Sequence, residues 1–217
     1  MASKDTRKAD ETKNEKIRNR IGFSRMEKKY EWKDHVIFMG ILLGLAFWVN
    51  RNVEIKGLYM DDLYLWSCFG EQSFFQYVFP IGSTRFRFLY YLAAWLEMAF
   101  VGSHVSWFVP INILFNTMVA WTIYFMGRSL SRSKAVGFVC GAMYLVTRMA
   151  YYQIGQVLGL METMALWMAI GILWCLYRYL NEERREGLFY ISCALYFGVC
   201  FVHERYMVLF PLLLLAL

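Results

Sequence analysis

Residues 105–126 read VSWFVPINILFNTMVAWTIYFM, a stretch of 22 residues without a charged side chain. A helix that crosses a bilayer needs about 20 mostly apolar residues, so this stretch predicts a membrane span. Pro110, Asn112 and Asn116 lie within it, where they either kink the helix or bond to a neighbouring one.

Apolar runs recur along the rest of the chain, separated most clearly by polar breaks at 127–134 and 179–187. There is no alternation typical of a β-barrel and no internal repeat. The other runs lie near 35–53, 87–101, 135–152, 157–177, 188–202 and 206–217. The pattern predicts an all-α fold, a multi-spanning transmembrane helical bundle with about six spans. The last run has only 12 residues, about 18 Å of helix, so we expect a truncated span, the alternative being a short half-helix.

Composition supports the bilayer as solvent, because 59% of residues are hydrophobic and 19% are aromatic. Residues 1–34 hold 11 of the 23 Lys and Arg and 7 of the 17 acidic residues, which leaves few charges elsewhere. We therefore expect two domains, a largely disordered charged tail at 1–34 and a transmembrane domain at 35–217. The mixed charges of the tail indicate attraction to anionic lipid rather than binding to nucleic acid. The five cysteines have no metal-ligand spacing and are assigned to packing.

Orientation follows from the basic segments. The tail, the loop around Arg128 and Arg132, and the loop around Arg184 should all lie on the cytoplasmic side. This requires that one apolar run before Arg128 does not cross the membrane. The run 87–101 is the best candidate, since it is short and amphipathic. One helical face carries Arg87, Tyr90, Tyr91, Ala94 and Glu97, and the other carries Phe88, Leu89, Leu92, Trp95, Leu96 and Phe100. We predict an interfacial helix here, in a long first outer loop.

Two clusters of polar residues fall on the predicted outer side. Asp61 and Asp62 can coordinate a divalent cation or act as general base, and a helix N-cap is the structural alternative. His203, Glu204 and Arg205 follow the fifth predicted span; arginine suits phosphate, and an interfacial anchor is the alternative. Further candidates for substrate binding on this side are Arg85, Arg87, Arg148 and Glu162. Glu162 lies inside a predicted span and could equally pair with Arg148 to stabilise the bundle.

Several short segments occur together with this order of spans. They are the acidic pair, then RFRFLYYLAAWL at 85–96, AFVGSH at 99–104, FMGRSL at 125–130, and VHER at 202–205 before YMVLFPLL. The arrangement resembles the N-terminal half of GT-C-type membrane glycosyltransferases, the superfamily of protein O-mannosyltransferases and lipid A aminoarabinose transferases. This chain has Asp-Asp where that family often has Asp-Glu, and His203 where some branches have Lys.

The resemblance implies transfer of a sugar from a polyprenyl-phosphate donor to a glycan, lipid or protein acceptor on the non-cytoplasmic face. Asp61 and Asp62 would then be catalytic, one of them as base toward the acceptor hydroxyl, with a divalent cation left open. Arg205 first and His203 second would hold the donor phosphate. We expect a multi-pass protein of a bacterial cell membrane with a cytoplasmic N-terminus. The alternatives are a transporter or flippase of lipid-linked or anionic solutes, and a non-catalytic membrane subunit.

Overall fold

A computed structural model describes residues 32–216 except 56, 59–60, 83–84, 103, 158 and 182–184. The described residues form helices and connecting turns without any strand, which confirms the all-α class. The expected tail at 1–34 lies almost wholly outside the described residues. The chain divides into two compact units, 1–41 and 42–217, and the boundary falls within the first helix, α1, Trp32–Val49.

The remaining helices follow in short succession. They are α2 Asp61–Glu71, α3 Phe74–Val78, α4 Phe88–Val101, α5 Phe108–Ser131, α6 Lys134–Leu145, α7 Arg148–Ile154, α8 Gly159–Asn181, α9 Glu186–Cys200 and α10 Phe210–Ala216. Two 3-10 turns, Val105–Trp107 and Glu204–Leu209, lead directly into α5 and α10. The expected helix at 87–101 is thus present as α4.

Three helical stretches within the described residues are long and apolar enough to cross a membrane: Trp32–Val49, Val105–Ser131 and Gly159–Asn181. They indicate a membrane protein, whereas the expected number of about six spans stays a prediction. The run 135–152 is not one helix, since α6 stops before Thr147 and α7 starts after it. The Thr147 hydroxyl donates to the Tyr144 carbonyl at 2.7 Å and accepts the Ala150 amide at 3.2 Å, which caps the new helix.

Glycines let α5 and α6 pack as a close antiparallel pair. Gly137 and Gly141 lie four residues apart on α6, the spacing that small residues use where two membrane helices approach closely. A Cβ atom on Gly137 would overlap the carbonyl oxygen of Tyr124 and lie 2.9 Å from the Arg128 amide nitrogen. On Gly141 it would lie 2.9 Å from the Ala120 carbonyl oxygen. The close approach of these backbones therefore depends on the absence of side chains.

The faces of α4 are used in the opposite way to those of a helix on a water-soluble protein. Tyr90, Ala94 and Glu97, from the more polar face, are buried, while Leu96 and Phe100 are exposed, Phe100 by 80%. The helix packs against α2, α3 and α8 through its buried face. An exposed apolar face suits contact with lipid hydrocarbon, where burying apolar side chains has no advantage.

Polar side chains are buried between α5, α6, α7 and α8. The Asn116 amide donates to Thr163 Oγ1 at 3.3 Å, and the Tyr144 hydroxyl lies 2.6 Å from Asn116 Oδ1 and 3.0 Å from the Gln153 amide oxygen. Tyr144 has one hydroxyl proton, so it donates to Asn116. A flip of the Gln153 amide would let its NH2 group donate to Tyr144 and give a partner to Nε2. Asn112 donates to the Gln156 carbonyl at 2.9 Å, so both asparagines of α5 bond to neighbouring segments.

Candidate functional site

Three separate segments bring five charged or ionisable side chains together. Arg87 is the N-cap residue of α4, Glu162 lies in the first turn of α8, and His203, Glu204 and Arg205 form the link between α9 and the following 3-10 turn. We call these five residues the ion cluster. All five are among the residues that the sequence analysis singled out, and the fold connects them by hydrogen bonds and ion pairs.

The strongest contact of the ion cluster joins Arg87 to Glu204. The Arg87 Nε atom donates to Glu204 Oε2 at 2.6 Å, and its Nη2 atom donates to Oε1, which gives a two-pronged pair. The Arg87 side chain is 10% exposed and that of Glu204 is 44% exposed. The hydrogen bonds from Arg87 lower the pKa of Glu204 to about 2. Three N–H groups of Arg87 are thus directed at Glu204 and at the Met161 sulfur within the protein, and its expected role in binding substrate stays a prediction.

His203 is fully buried and holds the centre of the ion cluster. Its Nδ1 atom accepts the backbone N–H of Arg205 at 3.4 Å, so Nε2 carries the ring proton and donates it to Glu162 Oε1 at 3.1 Å. Its distance from Nδ1 to Glu204 Oε2 is 3.8 Å. His203 thus fixes the positions of the two carboxylates on either side of it, and its burial leaves it little surface for direct contact with a ligand.

Arg205 presents its guanidinium at the surface. Its side chain is 78% exposed, and its Nη1 atom lies 3.6 Å from Glu162 Oε1, a loose ion pair. Most of its five N–H donors are thus available to a ligand, and a planar guanidinium matches two oxygens of a phosphate. Within the ion cluster, Arg205 is the residue best placed to bind an external anion.

The acidic pair begins α2. The side chain of Asp61 lies outside the described residues, whereas Asp62 is buried. Burial and the neighbouring Tyr77 raise the pKa of Tyr90, and the negative charge of Asp62 raises it further. Tyr90 lies one turn after Arg87 on α4. Asp62 therefore lies near enough to α4 for its charge to act on Tyr90.

The structure places the other two expected site residues at the surface. Arg85 is exposed in the segment before α4, and Arg148 is exposed at the start of α7. Arg148 was the alternative partner considered for Glu162, and the ion pairs described for Glu162 are with His203 and Arg205. The structure thus joins five of the nine expected residues into one site.

Sequence reasoning missed the importance of Glu97, which it had placed only as one polar position of an amphipathic helix. Glu97 is buried in α4, and its Oε1 atom has no hydrogen-bond partner among the described residues. Burial raises its pKa to about 8. A lone carboxylate in the middle of FLYYLAAWLEMAFV was the available signal, since isolated acids in apolar helices are rare.

The side chains that the structure describes contain no group of three or more His, Cys, Asp or Glu residues arranged to hold a metal ion. The expected metal at Asp61 and Asp62 therefore finds no third ligand of these types among them, and that expectation remains a prediction. Comparison with protein-family models, with curated proteins and with solved structures gave no match for this chain.

Proposed function

We propose that this chain is part of an integral-membrane glycosyltransferase of the GT-C type, which moves a sugar from polyprenyl phosphate to a hydroxyl group of a glycan, lipid or protein acceptor. The observation that supports this proposal is the ion cluster. It joins three segments at the ends of apolar helices and leaves the guanidinium of Arg205 exposed. Such a group can neutralise a phosphate at the membrane surface.

The reaction would divide between the two polar sites. A carboxylate of the acidic pair, Asp61 or Asp62, accepts the proton of the acceptor hydroxyl as the oxygen forms its bond to the anomeric carbon of the sugar. The bond between that carbon and the phosphate oxygen breaks, and polyprenyl phosphate leaves with its negative charge facing Arg205. Arg87 and His203 act as positioning residues, because they hold Glu204 and Glu162 and through them the backbone of the Arg205 segment.

The proposal includes the topology expected from the sequence. The N-terminus is cytoplasmic, about six spans form a bundle, and α4 lies in the outer interface of a bacterial cell membrane. The exposed apolar face of α4, with Leu96 and Phe100, supports contact with the hydrocarbon side of that interface.

A transporter or flippase of lipid-linked or anionic solutes is the second candidate, and one observation favours it. Buried polar groups continue from α5 to α8 through Asn116, Tyr144 and Thr163. Polar groups inside a helical membrane bundle often line a path for a solute. A non-catalytic membrane subunit is the third candidate, and in it the ion cluster would serve stability alone.

The decisive experiment measures release of polyprenyl phosphate by the full-length protein in lipid nanodiscs, with a panel of polyprenyl-phosphate sugars and acceptor membranes. We expect turnover that falls about 100-fold in Asp62→Asn and in Arg205→Gln, the loss typical of removing a catalytic base or one stabilising donor. The matched control is Arg51→Gln, which removes an exposed arginine that lies outside the ion cluster.

The other candidates give different results. A transporter releases no polyprenyl phosphate in nanodiscs, and it moves solute across the membrane when the same protein is reconstituted into sealed vesicles. A non-catalytic subunit shows no turnover, and its Asp62→Asn variant changes only thermal stability. Absence of sugar transfer with every donor and acceptor would overturn the proposed function.

A further inference from the structure

A cavity of about 610 Å³ lies between α4, α5 and α8. This volume is within the range of sites that bind small organic molecules. Its walls are almost entirely apolar, and three aromatic side chains contribute to them, Phe100 from α4, Phe115 from α5 and Trp167 from α8. On α8 the cavity is lined by Leu160, Thr163, Met164, Trp167 and Met168. These residues form one face of the helix, and Glu162 lies on the opposite face.

Glu97 is the exception in this apolar lining. Its side chain contributes to the cavity, its residue is 8% exposed, and its Oε1 atom has no hydrogen-bond partner among the described residues. A buried polar atom without a hydrogen-bond partner destabilises the folded protein, so such an atom calls for an explanation. A ligand in the cavity that bonds to Glu97 would supply that partner.

The other polar groups of the lining are already engaged. The Thr163 hydroxyl donates to the Gly159 carbonyl at 2.8 Å and accepts from Asn116 at 3.3 Å. The indole N–H of Trp167 donates to Thr122 Oγ1 at 2.9 Å, which also fixes the ring in place. Among the described lining residues there is no lysine or arginine. The lining therefore offers a ligand one carboxyl group and aromatic surfaces.

This combination selects for positive charge. A carboxylate attracts a cation most strongly where water is excluded, and the faces of Trp and Phe rings attract cations through their electron distribution. An anion would meet the carboxylate without any compensating cation. A purely hydrocarbon ligand would fill the walls but leave Glu97 without a partner.

We propose that this cavity binds a lipophilic amine or ammonium ion, with Glu97 as its counter-ion. The inference does not rest on sugar transfer by the ion cluster. Two walls of the cavity belong to helices that are long enough to span a membrane, and the exposed Leu96 and Phe100 of α4 adjoin it. A lipophilic ligand would enter from the membrane, on the side where α4 exposes these residues.

The test uses two ions of the same shape and opposite charge, tetraphenylphosphonium and tetraphenylborate. Binding of each to the full-length protein in nanodiscs is measured by equilibrium dialysis against empty nanodiscs. We expect saturable binding of the phosphonium ion at one site per chain, and binding of the borate at least about tenfold weaker. A cavity that takes only hydrocarbon would bind both ions equally, which would overturn the proposal.

Variants separate Glu97 from the cavity walls. Glu97→Gln keeps the size of the side chain, and we expect it to weaken phosphonium binding at least about tenfold, while Glu97→Asp retains part of the affinity. The matched control, Glu71→Gln, removes an exposed acid of α2 and should bind as the unmodified protein does. Unchanged binding in Glu97→Gln, in a protein whose circular dichroism and melting temperature are preserved, would refute the assignment.

The pH dependence of binding gives a second readout. Phosphonium has no proton to lose, so its affinity should rise with pH as Glu97 ionises and should level off only above pH 8. The titratable side chains whose charges interact with Glu97 are Tyr77 on α3 and Tyr90 on α4, and burial raises the pKa of both well above this range. Affinity that is constant between pH 5 and 9 would also overturn the proposal.

Discussion

Replacing Glu204 by Gln should destabilise the folded protein, because it removes the charge that faces the buried guanidinium of Arg87. Two charges about 4 Å apart attract by roughly 1 kcal/mol in water and 4 kcal/mol at an effective dielectric constant of 20. The change in the pKa of Glu204 from 4.5 to about 2 corresponds to at most about 3.4 kcal/mol. The Glu204 side chain is 44% exposed, so solvent screening reduces this to about 2 kcal/mol.

For a chain of this length, about 2 kcal/mol corresponds to a decrease in melting temperature of about 4–8 °C. The assay is thermal unfolding of the detergent-solubilised protein, followed by circular dichroism at pH 7. The matched control is Arg205→Gln, which breaks a loose pair with a 78% exposed side chain and should lower the melting temperature by about 2 °C at most. A decrease for Glu204→Gln no larger than that of the control would refute the reasoning.

The same pair has a predictable dependence on pH. The pKa of Glu204 is lower in the folded than in the unfolded protein, so its stabilising effect is complete above about pH 4.5 and is lost as the pH falls toward 2. The difference in melting temperature between the unmodified protein and Glu204→Gln should therefore shrink between pH 6 and pH 3. A difference that stays constant over this range would show that the charge of Glu204 is not its cause.

Three further predictions concern other parts of the fold. Burial raises the pKa of Glu97 from 4.5 to about 8, so its contribution to stability is complete below pH 4.5 and is lost as the pH rises to 8; Glu97→Gln should flatten the fall in melting temperature over that window. Gly137→Val should lower stability by about 2 kcal/mol or more by separating α5 from α6, whereas Gly187→Val, where a Cβ atom meets nothing within 4 Å, should have little effect; equal effects would contradict close packing as the cause. With all native cysteines replaced, Glu71→Cys and Ser131→Cys, both exposed, should react with an impermeant maleimide from opposite sides of the membrane; labelling from the same side would show that α4 crosses it.

The helices of this protein could be predicted from local patterns, because the apolar runs and polar breaks depend only on neighbouring residues. The helix at 88–101 was expected within one residue of its start, since it follows Arg87 directly and ends at Gly102. The break between α6 and α7 was missed, although Thr147 supplied a capping signal, because the surrounding residues are continuously apolar. The continuous apolar run therefore predicted one helix, although the hydroxyl of Thr147 could cap a second one.

The site was predicted less well than the helices, for a reason of distance along the chain. Arg87 and Glu204 are 117 positions apart, and their pairing follows from how α4 meets the segment after α9. His203 and Glu162 are 41 positions apart and meet in the same way. Nothing in either segment alone distinguishes an arginine that binds a carboxylate within the protein from one that is open to a ligand.

By itself, the sequence determined that this protein is helical and that its long apolar stretches suit a bilayer. It also showed which charged residues lie within or beside those apolar stretches. These properties follow from composition and periodicity, because the free energy of transferring a side chain from water to the bilayer depends mainly on that side chain itself. Only the tertiary structure decided which of those charges neutralise one another, that Arg205 remains exposed, and that Glu97 is left without a partner beside a cavity. Such outcomes depend on distances of a few ångströms between residues far apart in the chain, and electrostatic and hydrogen-bond energies change steeply over that range.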